Sequence, residues 1–563
     1  MTPRVRSSRP GFGPMMAALP AVVPDQAIRQ AALLAPAEQT VAATFDAEYY
    51  LGAYPDVRAC GMDPFFHFHH HGTWELRNPN AWFDTGYYVR SNSDVLESGI
   101  DPFWHYLVFG KDEGRLPRRP EAAGRTALAA VRPPSAGWVG GVPGDVPHLG
   151  LKALRAAIGG RLPAADGFVL SVSHDRYTHS VGGVQILIAD EQQAYNRQNV
   201  VYLHIAPGAA RLKLAPPGTD PVLHLTIDGT HLGLTNAAHL AQVLSDLRPS
   251  MPAQRRFVVH CLFGHAIEAL VALHAALLPE HAVFWANDYE GICIGFNLLR
   301  NDVAFCGGPP QGSMACRVCI YGEERDAHLA EVGRLFAAIP FHVVAPSAAA
   351  LAVWQDGARL PQQSIQVHPY VRLRPSAIRS GLVSATPRGT PDNPVRIAFV
   401  GYAAVHKGWP AFVQLAAALE GHGAYRLVHL TALPQQAPLP GVEAIEASVT
   451  AAARGAMTDA LIAAAIDLVL VLSPWPETFC LVTYEAMAAG ADIVTVPDSG
   501  NVADVALETG RGIVVADTAA LVEFFASGAA IEYVRMAGDQ GSPMGRIESR
   551  GMTATLPLPE AAP

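Results

Sequence analysis

Short apolar runs that alternate with Ala- and Leu-rich stretches fill most of this chain, and they fall into two series. In the first, Phe168-Val169-Leu170-Ser171-Val172 reads as a buried strand. A helical pattern from Val184 to Asn196 and a strand at Val200-Val201-Tyr202-Leu203 then complete a βαβ unit. Further runs at Val222 to Leu225, Phe257-Val258-Val259, Ala282 to Trp285 and His342-Val343-Val344 continue it as a parallel sheet requires. After the Pro-rich break Thr390 to Pro394, a second series runs through Val395 to Val400, Tyr425 to Leu430, Leu468 to Leu472, Ile493 to Val496 and Gly512 to Val515. The pattern predicts α/β architecture: two Rossmann-like, doubly wound domains facing a cleft, over 166–390 and 391–535.

An internal repeat precedes them. Phe45-Asp46, Tyr49-Tyr50, Pro55-Asp56-Val57, Gly61, Asp63-Pro64-Phe65, His67, Gly72, Glu75, Arg77 and Pro79 recur 38 residues later as Phe83-Asp84, Tyr87-Tyr88, Ser93-Asp94-Val95, Gly99, Asp101-Pro102-Phe103, His105, Gly110, Glu113, Arg115 and Pro117. Residues 41–120 are therefore expected to form two helical units that bury their aromatics against each other, a small N-terminal module whose partner is unknown. His67, His69, His70 and His71 lack the Cys or carboxylate set that would complete a metal site. The compositional reading makes 1–40 a disordered leader, 121–165 a semi-flexible linker and 536–563 a flexible tail.

Half of the 563 residues are apolar, ample for two cores, and 40 basic against 50 acidic residues leave a net charge of −10 with no basic stripe. Nucleic acid is not an expected partner. The leader is broken by Pro10, Pro14, Pro20 and Pro24 and offers neither a signal segment nor a membrane span, which points to a cytoplasmic protein.

The densest signal is Ser473-Pro474-Trp475-Pro476-Glu477-Thr478-Phe479-Cys480-Leu481-Val482-Thr483-Tyr484-Glu485-Ala486-Met487-Ala488-Ala489-Gly490. A buried strand ends at Leu472, a loop carries Glu477, and a helix running to Gly490 carries Glu485, with the N–H groups near Phe479, Cys480 and Leu481 free to face an anion. The Glu477-x7-Glu485 spacing resembles that of retaining GT-B glycosyltransferases. The resemblance implies that Glu477 binds hydroxyls of a donor sugar and Glu485 the nucleotide ribose. Gly401-Tyr402-Ala403-Ala404-Val405-His406-Lys407-Gly408 is similar to that family's phosphate loop. Tyr402 stands where an Arg is usual, so the clamp is reduced to Lys407, with His406 a partial substitute. Ser180-Val181-Gly182-Gly183 resembles the family's Gly-Gly loop, where Gly182 and Gly183 let backbone approach a phosphate or acceptor.

His260 follows the strand Phe257 to Val259 and is a candidate catalytic residue. Trp285-Ala286-Asn287-Asp288-Tyr289 resembles a His-Asp-Tyr motif with Asn287 in the His position. Cys293, Cys306, Cys316 and Cys319 are either ligands of a structural zinc or buried thiols; only the last two have a diagnostic spacing. The resemblance implies transfer of a sugar from a nucleotide-diphosphate donor to a glycan or lipid-linked acceptor, with retention and no cofactor required for catalysis. It also implies a role in bacterial polysaccharide synthesis, with peripheral attachment to the inner membrane face compatible. An inactive nucleotide-sugar-binding protein and a nucleotide-sugar epimerase are the alternatives.

Overall fold

The computed structural model describes residues 36–113, 115–118, 146–179, 182–209, 211–317, 319–379, 387–432, 438–450, 453–540 and 542–558. The chain divides into two compact units, 1–120 and 121–563.

In the first unit the repeat is structural as well as sequential. Asp46 and Asp84 cap their helices by accepting from the N–H groups of Tyr49 and Tyr87. Gly61 and Gly99 end the next helices at φ of 69° and 67°. Tyr50 Oη lies 3.1 Å from His67 Nδ1, and Tyr88 Oη lies 2.9 Å from His105 Nδ1, so both histidines serve tyrosines in an aromatic core. Gly72 and Gly110 are glycine because a Cβ at either would fall about 2 Å from the same tyrosine hydroxyls. The leader expected over 1–40 needs correction at its end: a helix spans Pro36–Thr44, and Val41 is buried in this core. Residues 1–35 lie outside the described residues.

Among the described residues the second unit holds two large sheets and two two-stranded ribbons, one of which pairs Leu299–Arg300 with Ala304–Phe305. The first large sheet is built from β1 (Gly167–Val172), β2 (Val200–Pro207), β3 (Val222–Ile227), β4 (Thr230–Asn236), β5 (Gln254–Val259), β6 (His281–Trp285), β7 (Phe341–Ala345) and β8 (Ser364–Val367) in the order 8-7-6-5-1-2-3-4. β3 was expected to be parallel, but it pairs antiparallel with β2 and β4. Asp228-Gly229, at φ of 49° and 83°, makes the two-residue turn that closes the hairpin. After β9 (Val371–Arg379), the second sheet comprises β10 (Val395–Val400), β11 (Tyr425–Thr431), β12 (Val442–Glu446), β13 (Leu468–Val471), β14 (Asp492–Thr495) and β15 (Gly512–Val514). All its pairs are parallel, in the order 12-11-10-13-14-15. That is the 3-2-1-4-5-6 order of a doubly wound fold, with its reversal between β10 and β13.

Two expectations for connecting segments fail. Residues 121–145 of the expected linker are outside the described residues, but 146–165 belongs to the first core: helix Leu151–Gly159 buries Leu154 and Ile158. The expected flexible tail is integrated too. A helix runs over Ala529–Gln540, across the boundary placed at 535, and β16 (Ser542–Ser549) pairs antiparallel with β9. Met552 and Thr553 are then buried against the first sheet, where Trp285 Nε1 donates to Thr553 Oγ1 at 2.9 Å. The partners of this segment are remote in sequence, so composition alone did not show them.

Candidate functional site

In a doubly wound sheet, ligands bind beyond the carboxyl ends of the strands where the strand order reverses. Here the loops after β10 and β13 occupy that place. Gly401, at φ 111°, faces open space; the turn Val405–Lys407 follows, and Gly408 leads into helix Trp409–Ala418. Gly408 has φ 80°, and a Cβ there would fall 2.1 Å from the Leu472 carbonyl at the end of β13. Only glycine lets the two loops touch, and the contact sets Lys407 beside the second loop.

Lys407 Nζ donates to Glu477 Oε1 at 2.7 Å, and Ser473 Oγ donates to the same oxygen at 2.7 Å. The lysine side chain is 35 % exposed and the glutamate 7 %. Burial works to lower the Lys407 pKa, but the Glu477 carboxylate outweighs it and the ammonium is held above its ordinary value. Glu477 is fixed from behind, because its N–H donates to Ser499 O and its carbonyl accepts from Asn501 N–H, both at 3.2 Å. Asn501 Nδ2 donates to Phe479 O at 2.6 Å. Cys480 caps helix Leu481–Ala488 at φ 65°, an uncommon conformation for a residue with a side chain. The helix starts directly after the loop, and Thr483 N–H donates back to Cys480 O at 3.2 Å.

Glu485, one turn into this helix, is 8 % exposed and its carboxylate has no hydrogen-bond partner among the described residues. Burial pushes its pKa up to about 7. His406 does not compensate for the missing arginine: burial pushes its pKa down to about 4, so it is neutral near pH 7.

The first sheet reverses between β1 and β5, and its loops face the same region. A Cβ on Gly183 would lie 3.8 Å from Leu481 Cδ1, which puts the Gly182-Gly183 loop against the first turn of the Glu485 helix. Ser180 and Val181 are outside the described residues. His260 is fully buried, with Nε2 3.0 Å from Glu191 Oε2. Glu191 also accepts from Tyr202 Oη at 2.7 Å and from Thr553 N–H at 3.0 Å. Burial would raise the Glu191 pKa, but the His260 ring and these donors bring it below its ordinary value. His260 Nδ1 has no partner among the described residues.

Polar contacts join the two sheets around the loop 473–480. Tyr289 Oη donates to Pro476 O at 2.8 Å, Thr478 Oγ1 to Asn287 O at 2.7 Å, and Ser347 Oγ to Thr478 O at 2.7 Å. Asn287 also donates to His260 O at 3.0 Å and accepts from the Tyr370 hydroxyl, so the residue in the His position of that motif is a joint between loops. Cys261, Asp288 and Glu290 bring ligand-type atoms within 4.8 Å of one another. Glu290 is already satisfied by Leu262 N–H and the Cys261 thiol, and burial raises the pKa of both carboxyls.

The structure gathers Lys407, Glu477, Glu485 and the glycine loops, all singled out in the sequence, at the two points of strand reversal. Ser473 as a partner of Glu477, and Glu191 and Thr553 as partners of His260, were not singled out there. Ser473 lay inside the motif, whereas nothing in the sequence marked the other two.

No family model matches the chain, and no curated protein matches it. Among solved structures it is similar to Anabaena Alr3699/HepE in complex with UDP-glucose, at 12 % identity and TM-score 0.39, covering 66 % of this chain and 92 % of that one. WaaG, a glycosyltransferase involved in lipopolysaccharide biosynthesis, aligns at 14 % identity and TM-score 0.37 over 66 % and 95 % of the two chains. The α,α-trehalose 6-phosphate synthase of Burkholderia multivorans aligns at 13 % and 0.37 over 67 % and 93 %. The fold assignment rests on the strand orders given above. No helix among the described residues is long and apolar enough to cross a membrane.

Proposed function

We propose that this chain is a GT-B glycosyltransferase that takes a sugar from a nucleotide-diphosphate donor to an acceptor hydroxyl with retention. The carrying observation is the convergence of Lys407, Glu477 and the unpartnered, buried Glu485 at the reversal of the second sheet. A diphosphate meets Lys407 and the N-terminus of helix Leu481–Ala488, which offset its charge and the charge developing on the leaving group. The ribose hydroxyls supply the donors that Glu485 lacks, and Glu477 takes hydroxyls of the hexose. Lys407 then exchanges part of its contact with Glu477 for the phosphates. His260 offers Nδ1 to the substrate side, with Glu191 fixing its other nitrogen. The acceptor is a glycan or a lipid-linked sugar of bacterial surface polysaccharide, reached at the inner membrane face.

A second reading, a nucleotide-sugar-binding protein of impaired activity, is favoured by one observation: with Tyr402 in the arginine position and His406 neutral, Lys407 is the single cation of the phosphate loop. Release of nucleoside diphosphate from a panel of nucleotide sugars, with and without a membrane glycolipid extract, separates the readings. Acceptor-dependent release supports the transferase. Binding without release supports the second reading, and conversion of the free donor to its epimer contradicts both.

A further inference from the structure

Cys293, Cys306, Cys316 and Cys319 line one cavity between β6 and helix Gly322–Ala338, together with Arg300 and Arg325. All four are free. Arg325 is 4 % exposed, and its guanidinium donates to Ile292 O at 3.2 Å, Pro309 O at 2.6 Å and Cys316 Sγ at 3.0 Å. A guanidinium stays charged when buried and calls for an anion. No carboxylate is among the described residues that line the cavity, and the Cys316 sulfur is the side-chain acceptor that it offers Arg325.

A backbone N–H also reaches one of the sulfurs. Gly295 N–H donates to Cys293 Sγ at 3.4 Å, while burial pushes both the Cys293 and the Cys306 thiols up. Cys316 and Cys319 flank one turn, closed by Cys319 N–H donating to Cys316 O at 3.1 Å, so both sulfurs leave the same small loop.

We propose that these four cysteines hold one zinc ion as thiolates in a tetrahedral structural site that fastens the segment between β6 and helix Gly322–Ala338. Four thiolates around Zn²⁺ leave a net charge of about −2, which Arg325 and Arg300 offset. Among the described residues no three of the sulfurs lie within 4.8 Å of one another. Ligands at a Zn–S distance of about 2.3 Å stand roughly 3.8 Å apart, so binding includes an inward turn of the cysteine side chains, with release of the thiol protons. The site is independent of the donor-site assignment.

The test uses the full chain purified without chelator. Elemental analysis is expected to give about one zinc per chain, falling to near zero in Cys316→Ser/Cys319→Ser. A second measurement on the wild-type protein does not depend on the variant's folding: a mercurial reagent should release the zinc as it takes up four thiols together, and cobalt in zinc's place should give the strong visible bands of a tetrahedral thiolate site. Folded wild-type protein without zinc that also fails to take up cobalt in this form, zinc retained by the folded double variant, or the four cysteines found as disulfides would each overturn the proposal.

Discussion

Glu485 is held at a cost that a ligand relieves, and the cost is measurable. Its pKa is raised by burial from 4.5 to about 7. At about 1.36 kcal/mol per unit the ionised carboxylate costs the fold up to about 3 kcal/mol. The folded-state pKa lies above the unfolded one, so the penalty is absent below about pH 4.5, grows as the pH rises, and is complete above about pH 7. Glu485→Gln keeps the shape and cannot ionise. Its melting temperature should match that of the wild type at pH 4.5 and exceed it by several degrees at pH 8.5, while affinity for a nucleoside diphosphate falls about tenfold or more because a charged acceptor is lost. Scanning fluorimetry at both pH values and calorimetric titration at pH 8 read the two effects. A variant less stable than wild type at pH 8.5, or one with an equal shift at both pH values, would mean that Glu485 has a structural partner, and the reasoning would fail.

Lys407→Ala should weaken a nucleoside diphosphate by roughly 10- to 150-fold and the nucleoside alone hardly at all, by calorimetry; equal losses would remove the lysine from the phosphates. Glu477→Gln should leave free nucleotide affinity nearly unchanged yet lower transfer and blur discrimination between donors epimeric at one hydroxyl, at a cost of about 1 to 3 kcal/mol read from steady-state rates. If Glu477→Gln abolishes nucleotide binding, the division of roles between the two glutamates is wrong. Thr553→Val leaves the buried Trp285 N–H without its acceptor and should cost about 1 to 3 kcal/mol, lowering the melting temperature; an unchanged value would mean that the C-terminal segment is only loosely docked.

The core strands of both sheets were legible because each is a short apolar run bounded by turn residues, whereas the half-exposed edge strand Val442–Glu446 carries no such run and the strand order is set by tertiary packing. The β3–β4 hairpin has a legible turn in Asp228-Gly229, but β4 carries only part of an apolar pattern (Thr230 to Asn236), which gives no strand signal of its own. The C-terminal ribbon was not legible. β16 is polar and glycine-containing, and its identity as a strand depends on β9, far away in sequence. At the site, Glu477 and Glu485 were legible through spacing. The Lys407 to Glu477 ion pair and the Glu191 to His260 pair were not, because they join residues on different loops whose approach is set by tertiary packing.

The central claim is that the reversal of the second sheet binds a nucleoside diphosphate through Lys407 and Glu485. Its most direct test is calorimetric titration of the full chain with uridine, guanosine, adenosine and thymidine diphosphates, repeated with Lys407→Ala and Glu485→Gln. The account predicts that at least one of these ligands binds the wild type at one site per chain and that both substitutions weaken it. Folded protein that binds none of them at millimolar concentration, or that binds one equally well in all three forms, would contradict it.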